Sequence, residues 1–329
     1  MRYRIFIIII SIFLIIPDKV YSQDPEFTQF YANPLYLNPA FAGSVTCPRL
    51  ILNYRNQWPS ISGTFVTYNA SYDQHIDGID GGLGFLFYHD QAGEGTINTL
   101  SGSAIYSYHI DVNRYFAVRT GIQVSFVQKK LDYTKLTFPD MIHSRYGFIY
   151  QTQEDFSTYN TPKLYPDFSA GILGYGKDVW IGASVHHLTK PNEAFIANSK
   201  LPRKLTIHTG VNIPLGSKTS RRRNKSHSSI SPNLLYQQQQ YFQQFNYGMY
   251  IQKDIFVTGV WFRQSMTNPD ALIILFGIQQ EKFKVGYSYD LTVSKLTNAT
   301  GGAHEFSVIM IFPCKKRSPR YRALDCPSF

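Results

Sequence analysis

The chain has 329 residues and a formal net charge of +10, and its aromatic residues are as frequent as its charged ones, at 16% each. Soluble domains average about 25% charged residues, so this composition argues against an ordinary soluble surface. It leaves two all-β candidates, a membrane barrel and a large soluble sandwich or double sandwich.

The chain opens with Arg2 and Arg4 ahead of the apolar run Ile5 to Ile16, and then Val20-Tyr21-Ser22. A positive start, a short apolar core and a small-residue cleavage site define a secretory signal peptide. The reading is a leader over 1–22 and a mature chain from Gln23; an uncleaved anchor is the alternative. No cysteine follows the apolar run, which argues against a lipoprotein. Export makes nucleic acid an implausible partner despite the positive charge. Beyond the leader no stretch reaches the roughly 20 apolar residues of a membrane helix.

Residues 23–46 read neither as helix nor as strand. Asn33-Pro34 and Asn38-Pro39 each force a turn, because proline fixes its own φ and pushes the residue before it out of the helical region. Phe27, Phe30, Tyr31, Tyr36 and Phe41 surround them. So many aromatics predict a segment that packs, either into a barrel lumen as a plug, over its mouth, or against other machinery.

From Arg49 onward the sequence alternates. In Thr64 to Gln74, Thr67, Asn69, Ser71 and Asp73 alternate with Val66, Tyr68, Ala70 and Tyr72. One face is apolar and aromatic and the other polar, as a lipid-facing strand with a wet interior requires. Further strands are predicted at 49–58, 81–89, 96–110, 115–128, 165–175, 179–188, 203–213, 230–239, 243–252, 255–264, 271–279, 282–289 and 303–312. The count is about fourteen, and even counts fit closed bacterial barrels. Loop lengths sort by parity. Connections at 111–114, 176–178, 253–254 and 280–282 are short, and those at 129–163, 189–202, 265–270 and 291–302 are long. The basic connection near 214–229 is the exception, and its run Lys218 to Lys225 reads as a dock for acidic groups or as a solvated loop. The last strand places Phe306, Val308, Met310 and Phe312 on one face. The predicted fold is an all-β transmembrane outer-membrane barrel of about 14 antiparallel strands over 47–312. Its amino and carboxyl ends are both expected in the periplasm, with a basic tail over 313–329.

Three cysteines fall at predicted strand ends: Cys47, Cys314 and Cys326. The periplasm permits disulfides. Cys314–Cys326 would close a small loop, but the pairing stays open at this level.

No phosphate-binding glycine loop, metal-type Cys/His spacing or nucleophile elbow occurs, so no enzyme activity, cofactor or metal is expected. His186 and His187 are adjacent on a predicted strand, which would turn them to opposite faces.

The segment Asp24-Pro-Glu-Phe-Thr-Gln-Phe, the run Asn33-Pro-Leu-Tyr-Leu-Asn-Pro-Ala-Phe-Ala-Gly43 and the strand Tyr54-Arg-Asn-Gln-Trp58 resemble the start of the PorP/SprF proteins of Bacteroidetes. His304-Glu305, Cys314 and Asp325-Cys-Pro-Ser-Phe329 resemble their end. The resemblance implies an outer-membrane component of the type IX secretion system, in some members linked to gliding motility. It serves secretion or surface anchoring of cargo adhesins, with other secretion proteins as partners. A passive porin-like channel is the alternative function. Partner contacts are expected from Phe27, Gln29, Asn33, Pro34, Tyr36, Asn38, Pro39, Gly43, Tyr54, Arg55, Gln57 and Trp58. In the tail they are expected from Lys315, Lys316, Arg317 and Asp325.

Overall fold

The computed structural model describes residues 24–93, 95–153, 161–195, 198–215, 228–266, 268–293 and 301–314. The leader, the basic run 218–225 and the tail from Lys315, with Lys316, Arg317, Asp325 and Cys326, lie outside them.

Fourteen strands form the wall. They are β1 (Arg49–Gln57), β2 (Phe65–Ile76), β3 (Gly81–Ala92), β4 (Ile97–Asp111), β5 (Ala117–Leu131), β6 (Lys163–Tyr175) and β7 (Val179–His186). Then follow β8 (Lys204–Val211), β9 (Ser228–Gln239), β10 (Phe242–Lys253), β11 (Phe256–Ser265), β12 (Pro269–Gln279), β13 (Phe283–Thr292) and β14 (Ala303–Ile311). Each pairs antiparallel with its chain neighbours. The sheet closes where β1 meets β14, with Arg49 opposite Ile311 and Gln57 opposite Ala303. Closure satisfies the edge hydrogen bonds that lipid cannot. No helix among the described residues is long and apolar enough to cross a membrane.

The two faces of the wall differ as the alternation requires. Phe87, Ile122, Phe126 and Phe276 are each more than half exposed on the outside. A belt of large apolar side chains around the whole circumference has no place on a water-facing surface, and it is the band a barrel turns to lipid. The inward positions instead carry Asn53, Arg55, Asp73, Arg119, Asp167, Arg263, Asp290 and Glu305, all buried. The barrel is therefore an outer-membrane type of transmembrane barrel with a filled polar lumen.

Its two ends are unlike. One carries the tight connections around 77–80, 112–116, 176–178, 254–255 and 280–282. The other carries, among the described residues, 132–153, 161–162, 187–195, 198–203, 293 and 301–302. These are called here the short-turn end and the long-loop end. At the short-turn end Cys47 is bonded to Cys314, with Cα atoms 5.4 Å apart. This corrects the Cys314–Cys326 alternative. The pairing of β1 with β14 brings residues 267 apart in sequence to one spot at the barrel base.

Candidate functional site

Residues 24–44 run through the lumen from the long-loop end to the short-turn end. They form three short helical turns, Phe30–Ala32, Pro34–Leu37 and Pro39–Phe41. Pro34 and Pro39 each stand at the first position of their turn, where the missing N–H costs nothing. Asn38 caps the third turn, its Oδ1 accepting the Ala40 N–H at 2.9 Å.

Near the long-loop end the plug is held by charge. Glu305 accepts the Thr28 N–H at 2.6 Å and the Gln29 N–H at 3.1 Å. Arg55 donates to Thr28 Oγ1 and pairs with Asp290 at 2.9 Å and Glu305 at 3.3 Å. Arg263 reaches Asp290 at 3.1 Å and Asp270 at 2.6 Å. Carboxylates and guanidinium groups this buried persist because each charge has an opposite charge and further hydrogen bonds beside it. Higher still, Asp24 meets His187 Nε2 at 2.8 Å, and His187 Nδ1 meets Asp167 at 2.9 Å. Burial opposes charge on both groups, yet the flanking carboxylates outweigh it and hold the His187 pKa up at about 10. The same pairing with His187 overcomes burial at Asp24 and keeps its carboxyl well below the usual range.

The middle of the plug is apolar and aromatic. Phe30 packs on Trp261 with ring centroids 5.3 Å apart. Tyr31 accepts a hydrogen bond from Trp180 Nε1 at 3.1 Å. Phe41 stacks on His208 at 5.3 Å. Asn38 reaches the wall itself, its Nδ2 donating to the Ile172 carbonyl at 3.1 Å. That approach needs Gly171, since any Cβ there would strike the Asn38 carboxamide. At the short-turn end Arg119 donates to the Ala42 carbonyl at 2.8 Å, and the Gly43 N–H meets Asp73 at 2.8 Å. Gly43 lies at φ +61°, a conformation that favours glycine. Arg49, the first residue of β1, then clamps Asp73 at 2.8 Å.

The structure thus places the residues expected to face a partner. Phe27, Gln29, Asn33, Pro34, Asn38, Pro39, Gly43 and Arg55 are all buried inside the lumen. They pack between plug and wall rather than on the outer surface, and Phe27, Asn33 and Arg55 also line the cavity described next. Tyr36, Gln57 and Trp58 line a cavity of about 590 Å³ between plug and wall at the long-loop end. Tyr54 lies on the outer wall against Tyr68, with centroids 5.2 Å apart.

Two further corrections concern placement. Asp24 sits at the long-loop end on His187, whereas Cys314, just after β14, is bonded to Cys47 at the short-turn end, so the two lie at opposite ends of the barrel. The plug crosses the lumen from end to end, from Asp24 on His187 to Gly43 on Asp73. His186 and His187 do not face opposite sides. His187 has φ +57°, which ends the strand alternation and turns both rings inward. His186 hydrogen-bonds Ser169 at 3.1 Å while His187 holds Asp24.

Sequence reading missed Asp73, Arg119, Asp167, Arg263, Asp290 and Glu305 as plug or network residues. A signal was present, since all occupy the inward phase of their strands. Charged side chains at that phase mark a lumen that needs a counterpart.

A family model described as type IX secretion system membrane protein PorP/SprF matches residues 19–310. A search of curated proteins gives no match. Among solved structures the chain is similar to the Ralstonia pickettii toluene transporter TbuX, at 9% identity and TM-score 0.49, covering 85% of this chain and 93% of that one. It is also similar to the Acinetobacter baumannii outer membrane protein Omp33, at 6% identity and TM-score 0.45, covering 80% and 98%. A Pseudomonas aeruginosa FadL homologue aligns at 10% identity and TM-score 0.44, covering 84% and 93%.

Proposed function

Because the chain belongs to the PorP/SprF family of type IX secretion system membrane proteins, we propose that it is a non-enzymatic outer-membrane component of that system. In this reading it supports secretion or surface anchoring of cargo proteins or adhesins, with a role in gliding motility where the cell glides. Its partners are other secretion proteins or a cargo domain.

The observation that carries the scaffold reading is the filled lumen. A plug tied to the wall at its top, middle and base by Glu305, Trp180 and Asp73 suits a docking body better than a passive pore. In orientation, the short-turn end with the Cys47–Cys314 disulfide faces the periplasm, where disulfides persist. The long loops and the amino end of the plug face the exterior. The partner surface then falls on the outer wall and loops and on the tail after Cys314.

The test compares secreted and surface proteins of a deletion strain and its parent. Many secreted proteins trapped in the cell would make this a component of general secretion, and loss of one large surface protein would make it a dedicated partner. An unchanged set, together with a steady open conductance of the purified barrel in planar bilayers, would overturn the proposal in favour of a channel.

A further inference from the structure

The chain between β7 and β8 folds back toward the lumen. It leaves the wall at His187, returns at Lys204, and is described over 187–195 and 198–203. Asn192 forms an antiparallel bridge with Lys200. The Glu193 N–H donates to the Ser199 carbonyl at 3.0 Å, and the Leu201 N–H to the Pro191 carbonyl at 2.9 Å. These bonds make the segment a narrow strap rather than an open loop. Among its described residues Glu193 and Leu201 are the buried ones, and both line the cavity of about 590 Å³ between plug and wall.

The strap is lightly fastened. At its roots the Leu188 N–H donates to the Phe168 carbonyl at 2.9 Å, and Gln239 Nε2 donates to the Pro202 carbonyl at 3.4 Å. Away from the roots, the described residues hold it to the wall through an ion pair, Lys129 Nζ of β5 to Glu193 Oε2 at 2.7 Å. A segment with so little buried apolar surface opens at low cost. Its first turn is strained as well. His187 and Lys190 have φ of +57° and +48°, left-handed values unfavourable to any residue with a Cβ. Lys190 is exposed, and its N–H closes the turn onto the His187 carbonyl at 3.1 Å. Backbone strain of this kind gathers at segments that switch. The plug is attached elsewhere. Asp24 meets the two roots, His187 at 2.8 Å and Lys204 at 3.9 Å, and not the Lys129–Glu193 pair.

We propose that the strap between β7 and β8 is a hinged lid on the cavity, latched by Lys129 and Glu193 and pivoting at the turn from His187 to Lys190. The structure shows it closed, with Glu193 and Leu201 set into the cavity lining. Breaking the latch swings it outward and opens the cavity at the long-loop end. The plug stays seated, because Glu305, Trp180 and Asp73 hold it without the strap. The inference goes beyond the secretion reading and does not rest on it, since it follows from the strap and the lumen alone.

Val127 is the reporter. It is buried, lines the cavity, and lies two residues before Lys129 on the same face of β5. The experiment measures the rate at which fluorescein maleimide labels Val127→Cys in the mature chain, purified in detergent and carrying Cys326→Ser. The denatured chain gives the rate of full access. Slow labelling is expected in the closed barrel. Glu193→Gln removes the latch and should raise the rate about tenfold or more, with hydrogen exchange at the plug amides of Thr28 and Gln29 unchanged. Lys190→Gly relieves strain in the closed turn and should lower the rate about fivefold. Heat-modifiable gel mobility checks that each barrel is folded, and if Glu193→Gln does not fold, Lys190→Gly decides alone. Three results overturn the proposal. One is labelling of the closed barrel as fast as that of the denatured chain. Another is an unchanged rate in either folded variant. The third is a rise in Glu193→Gln matched by lost protection at Thr28 and Gln29, which would make the pair a seat of the plug.

Discussion

Glu305→Gln is the sharpest test of how the plug is seated. The Glu305 carboxylate accepts two plug amides, Thr28 N–H at 2.6 Å and Gln29 N–H at 3.1 Å, and faces Arg55 at 3.3 Å. Glutamine keeps the size of the side chain but offers one acceptor oxygen. Its NH2 group then points a donor at the second amide. A hydrogen bond to a charged group contributes about 1.5–3 kcal/mol. Arg55 keeps Asp290 at 2.9 Å, so its own charge is not orphaned. The net loss at this clamp is therefore about 3 kcal/mol, one such bond plus the weakening of the other. That corresponds to roughly a hundredfold rise in the unseated fraction of the upper plug. Gln29 still holds the Glu305 backbone carbonyl at 2.9 Å, which keeps the rest of the plug in place. Hydrogen exchange read by mass spectrometry across residues 24–44 reports this directly. Protection at Thr28 and Gln29 is expected to fall by about two orders of magnitude, with the wall strands unchanged. Unchanged exchange at these amides in a folded barrel would refute the reasoning that this carboxylate seats the plug.

Seating at Asp24 depends on pH through His187. Its pKa is raised from 6.5 to about 10, so its contribution is full below pH 6.5 and is lost as pH rises toward 10. Asp24 is shifted down from 3.8, so its contribution is present above pH 3.8 and lost as pH falls below it. Exchange protection near Asp24 is thus expected to be greatest between about pH 4 and 6.5, and His187→Gln should flatten the alkaline limb. Gly171→Val drives a side chain into Asn38, an overpacking that costs about 1–3 kcal/mol. It should loosen the plug while heat-modifiable mobility of the barrel persists. Non-reducing peptide mapping should recover Cys47 linked to Cys314. Cys47→Ser should lower resistance to denaturant by about 2–4 kcal/mol, and an unchanged denaturation midpoint would show that the bond only decorates a seam already closed by β1 and β14.

The barrel was legible because its signal is local. A strand that faces lipid outside and polar groups inside must alternate with a period of two residues, and that pattern needs no knowledge of any other strand. Val66, Tyr68, Ala70 and Tyr72 against Thr67, Asn69, Ser71 and Asp73 declare both faces within eight residues. The parity of loop lengths likewise follows from chain order alone. That the aromatic segment with its two Asn-Pro turns packs was also readable, since so much apolar surface is seldom left in water. Where it packs was decided only by the closed wall. Thr28 meets Glu305 across 277 residues of sequence, and Asn38 meets His208 across 170. Such partners depend on register, tilt and closure, which no local pattern contains. For the same reason Cys314 pairs with Cys47 through the β1–β14 seam, and a single left-handed residue at His187 overrides the alternation that its neighbours obey.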